Sequence, residues 1–235
     1  MNAFSWSALG VAVRLAALAA AAGWSVLSAA AQAPTPALAL GQLKAGNDRF
    51  VKNVSQPVAL GAPARQAAAD AAPPVAMVLS CADARVPPEF VFNTALGELF
   101  VVRSLGGVAD RAAIASLEHG AASLHAPVLV VMGHEACDIV REATTAAEPA
   151  GANRQFLIKA IRAGTERMTG DQPDARAAVL AVVEQVINDV LSGSELLRQA
   201  AGTGRLLVVG AYYEMASGRV VFSEPVTTAA PSARH

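Results

Sequence analysis

The chain has 235 residues, of which 54% are hydrophobic and 16% charged, and its formal net charge is −1. That much apolar material excludes a wholly disordered chain, and the near-neutral balance leaves no basic footprint for nucleic acid. Aromatic residues make up only 5%, which also argues against base stacking.

Arg14 is the only charged residue among the first 31, and Leu15 to Ala31 is an uncharged, alanine-rich run. Small residues follow at Ser28-Ala29-Ala30-Ala31-Gln32-Ala33, and Pro34 disfavours cleavage after Ala33. The pattern predicts a secretory signal peptide over 1–31, cleaved after Ala31, and a periplasmic or secreted protein without stable membrane insertion. The alternative is an uncleaved membrane anchor, for which the run is short and weakly hydrophobic. Cleavage would remove one cation, leaving a charge of −2 (17 − 19), and both tryptophans, Trp6 and Trp24.

Residues 32–37 read as a linker, 38–226 as one folded domain, and 227–235 as a disordered tail ending in His235. Leu40, Leu43 and Phe50 are spaced for a helix over 38–50. Residues 55–74 mix loop with a short helix. Val75 to Ser80 is an apolar run next to prolines, as in a buried strand, and it delivers Cys81. A second strand is expected over 99–103, followed by a turn at Ser104-Leu105-Gly106-Gly107. Asp110 can then cap a helix running to about Leu124. A third strand over 128–132 delivers Gly133-His134, and Cys137 falls on the first turn of the next helix, near 137–147. Helices follow over 153–167, 173–191 and 194–201. A fourth strand is expected over 206–210. A fifth, over 219–222, follows the Ser217-Gly218 turn and joins antiparallel at an edge. Strands alternating with helices predict an α/β fold: a central, mostly parallel sheet of four strands plus an edge strand, flanked by helices. In such sheets ligands bind beyond the C-terminal strand ends, where Cys81 and His134 both lie.

Cys81 and Cys137 are the only cysteines. On number and compartment alone they could equally form a disulfide. His134 lies three residues before Cys137, so one loop and one helical turn can present both to a single ion. Cys81, His134 and Cys137 together make a Cys₂His set with a fourth tetrahedral position free, which suits a catalytic zinc better than other metals. Asp83 and Arg85 have no reason to flank a structural disulfide. His119 and His125 fall in or just after a helix and read as structural.

The motifs Cys81-Ala82-Asp83-Ala84-Arg85, Gly97 to Arg103 and Gly133-His134-Glu135-Ala136-Cys137 resemble the β class of carbonic anhydrases. Leu43 to Phe50 and Gly210 to Val220 resemble that family's N-terminal helix and C-terminal strand pair. The resemblance implies one zinc per subunit on Cys81, His134 and Cys137, and a zinc-bound hydroxide that converts carbon dioxide to bicarbonate and a proton. It also implies that Asp83 orients the hydroxide, that Arg85 holds Asp83, and that Asp83 can become the fourth ligand in a closed state. A homodimer or homotetramer is implied as well. Alternatives are a zinc hydrolase acting on carbon disulfide or carbonyl sulfide, and a non-catalytic zinc- or bicarbonate-binding module. The chain departs from common family patterns at Ala72, at Ser104 to Gly107 and at Asp138. Glu89 and Arg103 read as bracing residues.

Overall fold

The computed structural model describes residues 34–69, 73–145, 151–166 and 174–226. The expected signal peptide (1–31), Ala72 and the expected tail (227–235) lie outside these residues. The first helix, α1, is Pro36–Val51. It starts two residues before the expected domain boundary, because Thr35 accepts the Leu38 N–H at 3.4 Å and Pro36 opens the first turn with its φ already set. A short α2, Ala62–Ala69, follows.

Five strands form one sheet: β1 Ala76–Cys81, β2 Leu99–Ser104, β3 Val128–His134, β4 Leu207–Tyr213 and β5 Val220–Phe222. Their order is β2-β1-β3-β4-β5. The first four are parallel, and β5 pairs antiparallel with β4 at the edge. The expected fold class is therefore the observed one. Between the strands lie α3 (Pro88–Val91), α4 (Arg111–Ala122), α5 (Asp138–Ala143), α6 (Ala152–Thr165), α7 (Ala175–Gly193) and α8 (Glu195–Gly202). Side-chain oxygens of Asp110 and Ser194 cap α4 and α8, accepting the Ala113 and Leu197 N–H groups. Among the described residues, no single helix is long and apolar enough to cross a membrane.

Alternation along the strands sends side chains to two separate cores. Ala76, Val78, Val130, Val209 and Ala211 pack with Leu40 and Leu43 of α1 and with Phe92 beyond α3. Met77, Leu79, Leu129, Val131 and Val208 pack with Leu117, Ile158 and Ile161 and with the valines of α7. Cys81 and Cys137 belong to this second core. All six residues of β1 are buried, as a strand covered on both faces requires.

The first face is pinned by the Gly46-Asn47 pair on α1. A Cβ at Gly46 would lie 1.9 Å from the Phe92 carbonyl oxygen, so only glycine permits this approach. Buried Asn47 donates to the Val91 and Gly218 carbonyls at 3.1 and 2.9 Å and accepts the Val220 N–H at 2.9 Å. One amide thus ties α1 to α3 and to the β4–β5 turn.

Candidate metal centre

The two central strands, β1 and β3, end side by side and set the site. Cys81 is the last residue of β1, and His134 is the last of β3. Ala136 then takes φ +52°, which turns the chain so that Cys137 becomes the N-cap of α5 rather than a residue of its first turn. The ligand atoms of Cys81, His134 and Cys137 all lie within 4.8 Å of one another, and all three residues are buried. His119 and His125 stand apart: His119 tilts against Phe100, with ring centroids 6.2 Å apart, and His125 lies between α4 and β3.

The donors suit zinc. The Glu135 carbonyl lies 2.8 Å from His134 Nδ1 and can only accept, so that nitrogen carries the proton. His134 Nε2 is buried and has no hydrogen-bond partner, an arrangement that is costly unless a cation binds there. The Cys81 thiol is lowered to about 4, chiefly by the Cys137 thiol that donates to it, against the opposing effect of burial. The Gly106 and Asp83 amides add to the lowering. Cys137 is pushed up by the same partnership and by burial. The pair thus concentrates one negative charge on Cys81, a demand that a divalent ion meets. Gly106 N–H lies 3.3 Å from Cys81 Sγ, and both Gly106 and Gly107 have positive φ, at 74° and 70°. The turn expected at 104–107 is therefore a tight turn built on two left-handed glycines, and it aims the Gly106 amide at the thiolate.

Asp83 and Arg85 lie at the rim. Arg85 Nε donates to Oδ1 and Oδ2 at 3.0 and 3.2 Å, Nη2 donates to Oδ2 at 2.6 Å, and the Arg85 amide donates to Oδ1 at 2.9 Å. This guanidinium holds the Asp83 carboxyl well below the usual carboxylate range. Arg85 Nη2 also reaches the Ala136 carbonyl at 3.3 Å, joining the two halves of the site. Arg103, expected as a brace, donates to the Cys81 carbonyl at 3.0 Å and to the Asp83 carbonyl. Glu89 is exposed in the first turn of α3. Asp138 is exposed and pairs with Arg141 at 2.8 Å.

Sequence reasoning missed the inner wall. A cavity of about 10 Å³, room for roughly one water, is lined by the trio, by Gly106 and Gly107, and by Val179, Val182, Val183 and Val186 of α7. The signal was present as valines spaced three and four apart, but that pattern reads equally well as core.

The carbonic anhydrase family profile matches residues 76–220. The chain is 30% identical over 202 residues to carbonic anhydrase 2 of Mycobacterium tuberculosis, covering 81% of this chain and 94% of that one. It is 32% identical over 193 residues to a carbonic anhydrase of Mycolicibacterium smegmatis, covering 79% and 92%. Two solved structures share the fold. The β-carbonic anhydrase of Coccomyxa, in complex with acetazolamide, has TM-score 0.61 and 23% identity over 80% of this chain and 83% of that one. A β-carbonic anhydrase of Sordaria macrospora, described as tetrameric, has TM-score 0.60 and 19% identity over 80% and 95%. With its parallel sheet and its Cys-His-Cys group at the strand ends, the chain belongs to the β-class carbonic anhydrase family.

Proposed function

We propose that the protein catalyses the reversible, zinc-dependent hydration of carbon dioxide to bicarbonate and a proton. The observation that carries this reading is the buried Cys81–His134–Cys137 group, with its bare Nε2, in a chain of this family. These three residues would hold one zinc per subunit. When bound, zinc supplies the Lewis acidity that makes water a nucleophile near neutral pH.

The protein's own contribution is positional. Asp83 is ionised across the working range, so it accepts a hydrogen bond and fixes the orientation of the attacking oxygen. Arg85 grips both carboxylate oxygens, which limits Asp83 to one rotamer. The valine wall presents an apolar surface suited to an uncharged linear substrate. In a closed state Asp83 would leave Arg85 and become the fourth ligand; its several hydrogen bonds to Arg85 favour the open arrangement.

The test is stopped-flow hydration of carbon dioxide by zinc-loaded protein, with carbon disulfide and carbonyl sulfide run in parallel. Hydration that rises between about pH 6.5 and 8.5, as water deprotonates, is expected. Turnover of the sulfur compounds alone would reassign the substrate. Full zinc content without turnover of any of the three would leave a binding module.

The chain is further proposed to act as a homodimer or homotetramer, supported by the tetrameric Sordaria relative. Leu38 and Phe90 are 64% and 63% exposed, and light scattering would give the assembly size. We also propose a periplasmic or secreted location after loss of residues 1–31. Protein purified from its native compartment would then lack indole fluorescence, since Trp6 and Trp24 would be gone. A tryptophan signal would count against cleavage.

A further inference from the structure

On the far side of the valine wall lies a groove of about 490 Å³ between α7 and the β4–β5 edge, lined mainly by apolar side chains that include Leu180, Ile187, Val221 and Phe222. Val183 lines both this groove and the metal-site cavity. The reason is steric. Val183 stands over two glycines on adjacent strands, Gly133 of β3 and Gly210 of β4. A Cβ at Gly133 would come within 2.9 Å of one Val183 methyl, and a Cβ at Gly210 within 3.0 Å of the other. The two glycines leave a gap beneath α7, and the Val183 isopropyl group reaches over both. Val179, 2.5 Å from the same virtual Cβ at Gly133, closes the side nearer the metal site.

We propose that Val183 is a hydrophobic gate, and that uncharged carbon dioxide reaches the metal site through the groove and past this side chain. Bicarbonate and protons exchange instead at the polar rim of Asp83 and Arg85. The two reactants differ in the property that would sort them: burying a charge among valines is costly, whereas moving carbon dioxide there is not. Val183 then sets the girth of substrate admitted, favouring carbon dioxide over its bulkier sulfur analogues. The proposal rests on the carbonic anhydrase reading for its substrate and on the packing for its route.

The test joins a structure to kinetics. Crystals of the zinc-loaded protein are pressurised with xenon, an apolar atom that enters dry, apolar spaces. Xenon in the groove is the expected result for the wild type, and xenon beside Val183 on the metal-site face is expected once Val183→Ala enlarges that space. Val183→Phe should plug the gap but can overpack the core. Leu180→Trp is therefore the second variant, because Leu180 is 41% exposed and a larger side chain there covers the groove from outside. Leu180→Trp should lower kcat/KM for carbon dioxide several-fold by raising KM, with kcat and zinc content unchanged. Xenon absent from the inner position of Val183→Ala, or kcat/KM unchanged in Leu180→Trp, overturns the route. Wild-type protein that binds zinc but does not hydrate carbon dioxide would instead overturn the functional reading, and the xenon map would still decide whether an apolar gas passes Val183.

Discussion

The Cys81–His134–Cys137 trio and the Asp83–Arg85 pair lie only two residues apart in sequence at their nearest point, yet they are held by different means. Cys81, His134 and Cys137 are 2%, 1% and 6% exposed and are fixed by two central strands and a helix start. Asp83 and Arg85 have side chains 18% and 52% exposed and are fixed by hydrogen bonds within a short loop. The trio draws its rigidity from the core, so disturbing it disturbs the fold. The pair draws its rigidity from Arg85 and from the Arg103 clamp on the backbone, so it can change while the fold stands. Metal retention and catalytic positioning should therefore be separable by mutation.

The sharpest separation comes first. Cys81→Ser or Cys137→Ser should reduce metal content from one zinc per chain to near none and lower the melting temperature strongly, since metal binding and folding share free energy. Elemental analysis and calorimetry would read both. A variant with full zinc would break the comparison at its base.

Asp83→Ala should keep its zinc and lose little in melting temperature, but lose activity by roughly 10²- to 10³-fold in kcat. Full activity in this variant would remove Asp83 from the mechanism. Arg85→Lys keeps the charge and loses the fork, so kcat should fall by about tenfold with zinc retained.

The other face of the sheet provides a contrast. Asn47→Ala strands three buried backbone groups and should destabilise by about 2–3 kcal/mol in denaturant unfolding. Gly46→Ala should cost about 1–3 kcal/mol by overpacking. Both variants should retain zinc stoichiometry and kcat in their folded fraction. Loss of zinc would mean that the two faces are coupled.

The smallest effect concerns pH. The folded Asp83 carboxyl lies below its unfolded value of ~3.9, so the stabilisation from its pairing is fully present above that value and is lost as pH falls through the folded one. The melting-temperature difference between wild type and Asp83→Asn should therefore be flat across neutral pH. A difference that grew between about pH 6 and 8 would place the Asp83 titration in the working range instead.

Much of this was legible in the sequence, for a physical reason. Short apolar runs that end in Cys81 and Gly133-His134 specify both a buried strand and what it delivers, so the sheet and the trio emerged together. The strand ends were less legible. The runs suggest that β3 stops at Met132 and β4 at Gly210, because glycine reads as a breaker. The ladder instead continues through Gly133 to His134 and through Gly210 to Tyr213. Both glycines are there because α7 approaches the sheet closely, a tertiary demand with no local signature. Likewise α1 begins at Pro36, within the expected linker, and α5 ends at Ala143, short of the expected 147. The bond from the Gly106 amide to Cys81 Sγ spans 25 residues and depends on register alone.

Zinc-edge X-ray absorption on the metal-loaded protein tests the central claim most directly. The account predicts about two sulfurs near ~2.3 Å and about two nitrogen or oxygen neighbours near ~2.0–2.1 Å around each zinc, one nitrogen belonging to His134. A shell without sulfur, or one with a single sulfur, would contradict it.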